Sequence, residues 1–326
     1  MNVETRILSE LSEDGYSSGE AISEKLNITR SAVWKHIVKL RDRGYSIDAS
    51  PRHGYRLAGR PDKLLPAELA PLIQTSILGR HIVHLEETPS TADVARELVG
   101  EDAPEGTVVF AESQTEGRGR LGRSWHTPAG KTIAMSVILY PSLSPTRTPL
   151  LSLATALAVK RAVEGTTSAR VKLKWPNDIY LSGRKLAGVL VEMAAEIDRV
   201  KWVIDSIGIN VNNRIVGTDL EGRATSLADE LGKEISRREL AVALLTHLEK
   251  IYKEVQSPAG LISIQRSFMK HDLLQGRQIE VKTPDGVISG TADGIDSEGR
   301  LLVRDIAGKV QSLFSGEATI TATQIK

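Results

Sequence analysis

The 326-residue chain contains no cysteine. That excludes a disulfide, a thiol nucleophile and a thiolate metal site, and it fits a reducing, cytoplasmic setting. An excess of charge is missing too. The 42 Lys and Arg face 41 Asp and Glu, a net charge of +1, so no global field points to a polyanionic partner. No apolar run approaches the length of a membrane span, and the opening MNVETRILSE holds no apolar signal core, so no membrane association is expected. Repeats at solenoid periods, a Walker A loop and an H-E-x-x-H pair are absent as well. What remains is an ordinary globular composition, 40% apolar and 25% charged, long enough for two or three domains.

Three near matches carry nothing. Gly15-Tyr16-Ser17-Ser18-Gly19 fits G-x-S-x-G by letter, but no buried strand precedes it. Asn27-Ile28-Thr29 is a sequon inside a helical unit. His81 and His84 are isolated and read as ordinary surface or core residues, so no metal site is assigned.

The densest stretch is Glu116–Gly130, EGRGRLGRSWHTPAG. It alternates Gly117, Gly119 and Gly122 with Arg118, Arg120 and Arg123 and then adds Trp125. Glycine lets the backbone approach a ligand closely. Arginine supplies a permanently charged fork for phosphate or carboxylate. Arginine-glycine segments that bind RNA usually repeat, whereas this one occurs once, between the apolar strands 107–112 and 131–140. It reads as an anion-binding loop, mobile until an anion offsets the repulsion among its arginines.

Residues 1–62 read as a winged helix-turn-helix. Helices are expected over 5–11, 18–26 and 30–43, with Thr29 capping the third and Gly44 stopping it. Two short strands, 45–48 and 54–57, make the wing. Residues 1–24 hold six acidic and one basic group, whereas residues 25–60 hold nine basic and two acidic. The positive half thus falls on the third helix and wing. Val33, Ile37 and Leu40 share its apolar face, while Arg30, Ser31, Trp34, Lys35 and Lys39, with Arg52 in the wing, are the candidate DNA contacts.

Beyond a linker at 60–63 the pattern becomes longer α/β alternation, a domain expected over 63–273. Ser90 and Thr91 precede a helix, and Ser90 with Asp93 suggests a capping box. A second dense stretch, Lys172–Glu192, reads KLKWPNDIYLSGRKLAGVLVE. It contains turns at 176–178 and 182–184, then a strand that Lys185 opens. Gly188 inside that strand leaves room for something to lie against the backbone. Residues 274–326 switch to short alternating strands and read as a small SH3-like barrel.

The two dense stretches, in this order and spacing, resemble biotin protein ligases, specifically the bifunctional ligase and biotin-operon repressor family. The glycine-arginine loop matches Gly117–Trp125, and the family's K-W-P-N-D and R-K-L-A-G-[IV]-L-[VI]-E blocks match Lys174–Asp178 and Arg184–Glu192. The flanking modules match too, so the resemblance covers essentially the whole chain. It implies a multidomain α+β fold whose centre is a class II synthetase-like mixed β-sheet with flanking helices. It also implies two reactions: biotin and MgATP give biotinyl-5′-adenylate and pyrophosphate, then a lysine of a biotin carboxyl carrier protein displaces AMP.

On that resemblance, Ser90, Thr91, Gln114 and the backbone at Gly117 and Arg118 meet the ureido end of biotin, with Gly188 beneath it. Arg120 and Arg123 neutralise phosphate and carboxylate, Lys185 bridges them, and Trp125 packs on the apolar tail or the adenine. Asn177 and Asn210 contact the nucleotide, and Asp178 orients Lys185 or the incoming lysine. Arg120, Lys185 and Asp178 are the expected catalytic set. Where the family usually carries a polar residue after Ser-Thr, this chain has Ala92. Operator DNA and a ligand-promoted homodimer are the implied partners. A ligase with a non-DNA-binding appendage, a transcription factor using a degenerate ligase domain as its sensor, and a lipoate-ligase-like enzyme are the alternatives. The intact arginines and Lys185 argue against the degenerate sensor.

Overall fold

The computed structural model describes residues 3–321 and divides into two compact units after Pro71. The first unit contains α1 (Val3–Glu10), α2 (Gly19–Leu26), α3 (Arg30–Asp42), β1 (Ser46–Ser50), β2 (Gly54–Gly59) and α4 (Pro66–Leu69). Ser18 caps α2 by accepting from the Ala21 N–H at 3.0 Å, and Thr29 caps α3 by accepting from Ala32 at 3.2 Å. The apolar stripe Val33, Ile37 and Leu40 is fully buried against Ile7 and Ile22, which fixes the opposite face of α3 toward solvent. β1 and β2 form the antiparallel wing. Ser17 exchanges two backbone hydrogen bonds with Tyr55, at 2.8 and 2.9 Å, and ties the wing to the start of α2. This unit runs past residue 62, the boundary that composition suggests, because Glu68 of α4 accepts from Tyr45 and Arg60, both at 2.8 Å.

The second unit is built on a seven-stranded sheet of order β3-β4-β5-β9-β8-β7-β6. Its strands are β3 (Ile82–Thr88), β4 (Val108–Gln114), β5 (Thr132–Leu139), β6 (Lys172–Lys174), β7 (Asp178–Leu181), β8 (Arg184–Ala195) and β9 (Val200–Asn210). Only β3 and β4 pair in parallel. α5 (Thr91–Gly100) lays Ala92 and Ala95 on Val109, Ile138 and Ile204, covering part of one face. The rest of that face, over β9 and β8, is left for the cleft described below. α6 (Pro149–Thr166), α8 (Arg237–Val255) and α9 (Pro258–Met269) pack together on the other face, where Thr155 of α6 donates to buried Asp205 of β9 at 2.5 Å. The short helix α7 (Leu227–Leu231) follows a loop that returns to the cleft.

The loop after β4 has a buried anchor at its far end. Arg237, fully buried, donates to Glu112 at 2.8 Å and to the Thr132 carbonyl at 3.1 Å, and His84 meets the same Glu112 at 3.0 Å. His84 is thus a paired core residue.

The C-terminal strands β10 (Gln278–Thr283), β11 (Gly286–Ile295), β12 (Leu301–Arg304), β13 (Val310–Leu313) and β14 (Glu317–Ile320) form an antiparallel sheet of order β13-β12-β11-β10-β14. Among the described residues β13 and β14 do not pair, so the expected SH3-like barrel is an open five-stranded sheet. β14, not expected from the alternation pattern, turns out to reach the cleft. The indole N–H of Trp175 donates to the Gly299 carbonyl at 2.9 Å and joins the two sheets.

Candidate active site

A cleft of about 750 Å³ lies on the α5 face of the large sheet. Its walls bring together Ser90, Thr91, Gln114, Arg118, Arg120, Arg123, Trp125, Asn177, Asp178, Lys185, Gly188 and Asn210, from segments more than a hundred residues apart. Gly117 is buried beside the loop and does not line the cleft; its carbonyl accepts the Trp125 N–H at 2.7 Å.

One end of the cleft is neutral and hydrogen-bonding. Ser90 caps α5, its Oγ accepting from the Ala92 N–H at 3.3 Å. The Thr91 N–H and Oγ1 donate to Gln114 Oε1 at 2.9 and 3.1 Å, and Gln114 Nε2 donates to Thr127 at 3.0 Å. Asp93 does not complete a capping box, because its carboxylate turns outward to Arg96 at 2.7 Å and Arg118 at 2.6 Å. Ala92, where a polar residue was the family expectation, is buried in the first turn of α5.

The other end is ionic. The arginine loop does not leave its charges to repel one another: Arg118 pairs with Asp93 and Arg123 with Glu317 of β14. A tight turn carries the loop between them, with Leu121 and Gly122 at φ of 57° and 71° and the Gly119 N–H bonded to the Arg123 carbonyl at 2.7 Å. Among the described residues Arg120 has only Asn177, at 3.4 Å, and burial pushes its guanidinium below the ordinary range. Lys185 Nζ stands 2.6 Å from Asp178 Oδ1, an electrostatic contact rather than an aligned hydrogen bond. It also lies 5.7 Å from the centre of the Trp125 ring.

The floor holds Trp125. Its ring rests on Gly208 of β9, beside Gly188, the residue paired with Gly208 across β8. Its indole N–H has no partner among the described residues. Asn210 spends its amide internally, donating to the Thr225 carbonyl and accepting from Asn213, both at 3.1 Å.

Residues 85–212 match the Biotin/lipoate A/B protein ligase family, residues 3–56 a helix-turn-helix domain and residues 275–319 the Biotin protein ligase C terminal domain. The chain is 39% identical over 304 residues to the bifunctional ligase/repressor BirA of Bacillus spizizenii, covering 93% of each chain. It is 30% identical to the Escherichia coli protein of the same description, over 99% of this chain and 98% of that one. Among solved structures it resembles the biotin protein ligase of Aquifex aeolicus in complex with biotin and ATP, with TM-score 0.65 and 28% identity, over 75% of this chain and all of that one. The chain belongs to the bifunctional biotin protein ligase/repressor family.

Sequence reading did not find all of the ligase's cleft. Gly208, Lys174, Tyr180, Ser206, Arg214 and Glu317 also line it. Gly208 carried the same signal as Gly188, a glycine inside an apolar strand, but its meaning depends on strand pairing. Glu317 had no local signal, since its place follows from the packing of a distant sheet.

In the helix-turn-helix of the ligase the candidate DNA contacts lie at the surface. Arg30, Ser31, Trp34, Lys35, Lys39 and Arg52 are all exposed, and Trp34 is 56% exposed.

Proposed function

We propose that the protein activates biotin with ATP to biotinyl-5′-adenylate in this cleft and transfers biotin to a lysine of a biotin carboxyl carrier protein. The same chain then acts on operator DNA as a biotin-responsive repressor. The observation that carries the reading is Arg120: a partly buried cation with no carboxylate at ion-pair distance among the described residues, lining one cleft with a hydrogen-bonding pocket and the Lys185–Asp178 pair.

Ser90, Thr91 and Gln114 hydrogen-bond the ureido end of biotin, with the backbone near Gly117 and Arg118 closing over it. Arg120 and Arg123 offset the repulsion between carboxylate and α-phosphate, and Lys185 bridges the two as charge shifts between them. Arg123 gives up Glu317 to do so. Asp178 holds Lys185 in place and then receives the acceptor lysine. Trp125, seated over Gly188 and Gly208, packs against the apolar tail of biotin or the adenine, and Asn177 and Asn210 face the nucleotide. Mg2+ would come with the ATP phosphates and, keeping several of its waters, would ask few ligands of the chain. Positioning and charge neutralisation suffice, since the protein forms no covalent intermediate. The test is incubation with biotin, ATP and a carrier domain; a carrier of unchanged mass refutes the ligase reading.

For repression, a single winged helix reads few base pairs, so a two-fold dimer on a palindromic site is needed. Adenylate, by ordering the loops around the cleft, lowers the entropic cost of association and acts as corepressor. Sedimentation with biotin and ATP should show a dimer in the micromolar range; an unchanged mass refutes ligand-driven dimerisation.

A further inference from the structure

Of the cations lining the cleft, Arg118, Arg123 and Lys185 each face a carboxylate. Lys174 does not. It ends β6 directly across the hairpin from Asp178, where an ion pair would be the simplest arrangement. Asp178 instead turns to Lys185. The Lys174 ammonium donates to the Tyr180 hydroxyl at 3.3 Å and stands 5.1 Å from the centre of that ring. It is only partly exposed. Burial lowers its pKa, more than the fields of Asp178 and Glu317 raise it. Burial likewise raises the Tyr180 phenol, which keeps that partner neutral.

An ammonium withdrawn from water and compensated only by a neutral phenol costs free energy. An anion arriving there would offset that cost. The chemistry of the cleft identifies the anion. The ureido pocket lies at Ser90, Thr91 and Gln114, and the carboxylate and α-phosphate meet at Arg120 and Lys185. In the sheet order Gln114 lies on β4, Lys185 on β8, and Tyr180 and Lys174 on β7 and β6 beyond it, so the far strands are left for the rest of the triphosphate. We propose that Lys174, oriented by Tyr180, binds the pyrophosphate leaving group of the adenylation step. The inference rests on the ligase reading above. A carboxylate oxygen of biotin forms a bond to the α-phosphorus, and the bond from that phosphorus to the bridging oxygen breaks. The electron pair departs with pyrophosphate, and Lys174 neutralises the charge that develops there. The transfer step has no pyrophosphate, so it does not need Lys174.

The two half-reactions separate the roles. Lys174→Met should slow biotin-dependent pyrophosphate release on the order of 100-fold. Biotin transfer to a carrier domain from supplied biotinyl-5′-adenylate should proceed at the parental rate. In the reverse direction, ATP synthesis from adenylate and pyrophosphate should show a raised KM for pyrophosphate. Lys174→Arg should recover part of the forward rate, and Tyr180→Phe, which keeps the ring, should slow the same half-reaction less. Equal losses in both half-reactions would overturn the proposal and assign Lys174 to the acceptor or to structure. So would normal pyrophosphate release by Lys174→Met. If the parent enzyme itself releases no pyrophosphate with biotin, the ligase reading fails and takes this proposal with it.

Discussion

Gly208→Ala tests whether the cleft floor is shaped for Trp125. A Cβ at position 208 would stand 2.5 Å from the indole Nε1 and 2.8 Å from Cζ2. Carbon atoms in comfortable contact sit about 3.5–4.0 Å apart, so the ring has to rise by roughly 1 Å along its length. Overpacking of this kind costs about 1–3 kcal/mol, equivalent to roughly 5- to 150-fold in a binding or rate constant. The new methyl points into the cleft rather than the core, and Gly208 needs no left-handed backbone, so global stability should change little. The expected result is a kcat/KM for biotin-dependent pyrophosphate release lowered within that range, with an unchanged unfolding midpoint. Trp125→Ala in the same background decides the cause. If the methyl acts by displacing the ring, the two losses should be strongly non-additive. Simple additivity, or parental kinetics for Gly208→Ala, would refute the reasoning.

Three further outcomes are expected. Lys185→Ala should cripple adenylate formation on the order of 100-fold or more while leaving the fold intact; near-normal pyrophosphate release at saturating biotin would remove Lys185 from the mechanism. Burial alone would raise the Glu249 carboxyl, but hydrogen bonds from Lys253 and from the N–H groups of Ser76, Leu78 and Ile77 outweigh it and hold it at about 2 instead of 4.5. A depressed carboxyl stabilises the fold above its unfolded value, so this contribution, roughly 3 kcal/mol, is present at neutral pH and disappears as pH falls from 4.5 toward 2. Urea unfolding of Glu249→Gln should show that loss at pH 7 and much less of it near pH 2. Finally, Lys35→Ala and Lys39→Ala should each lower the slope of log affinity for operator against log salt by about 0.9 without altering ligation; parental DNA binding by both would remove α3 as the reader.

Composition and local pattern determined a good deal. The caps at Ser18 and Thr29 and the stripe Val33, Ile37 and Leu40 are short-range features, and each formed as the spacing required. The charge reversal after residue 24 marked the basic side of the helix-turn-helix in the same way. The arginine-glycine loop and the KWPND and RKLAG blocks are contiguous, so the residues of one half of the cleft could be named before any fold was known. Pairings between distant segments were decided only by the tertiary structure. That Glu317 would reach Arg123, and that Gly188 and Gly208 would lie side by side under Trp125, depend on strand order and sheet packing. Closure of the SH3-like strands, which among the described residues do not join β13 to β14, is of the same kind. Alternation marks strands and their buried faces, but closure depends on whether β13 and β14 meet, and nothing within four or five residues of either encodes that.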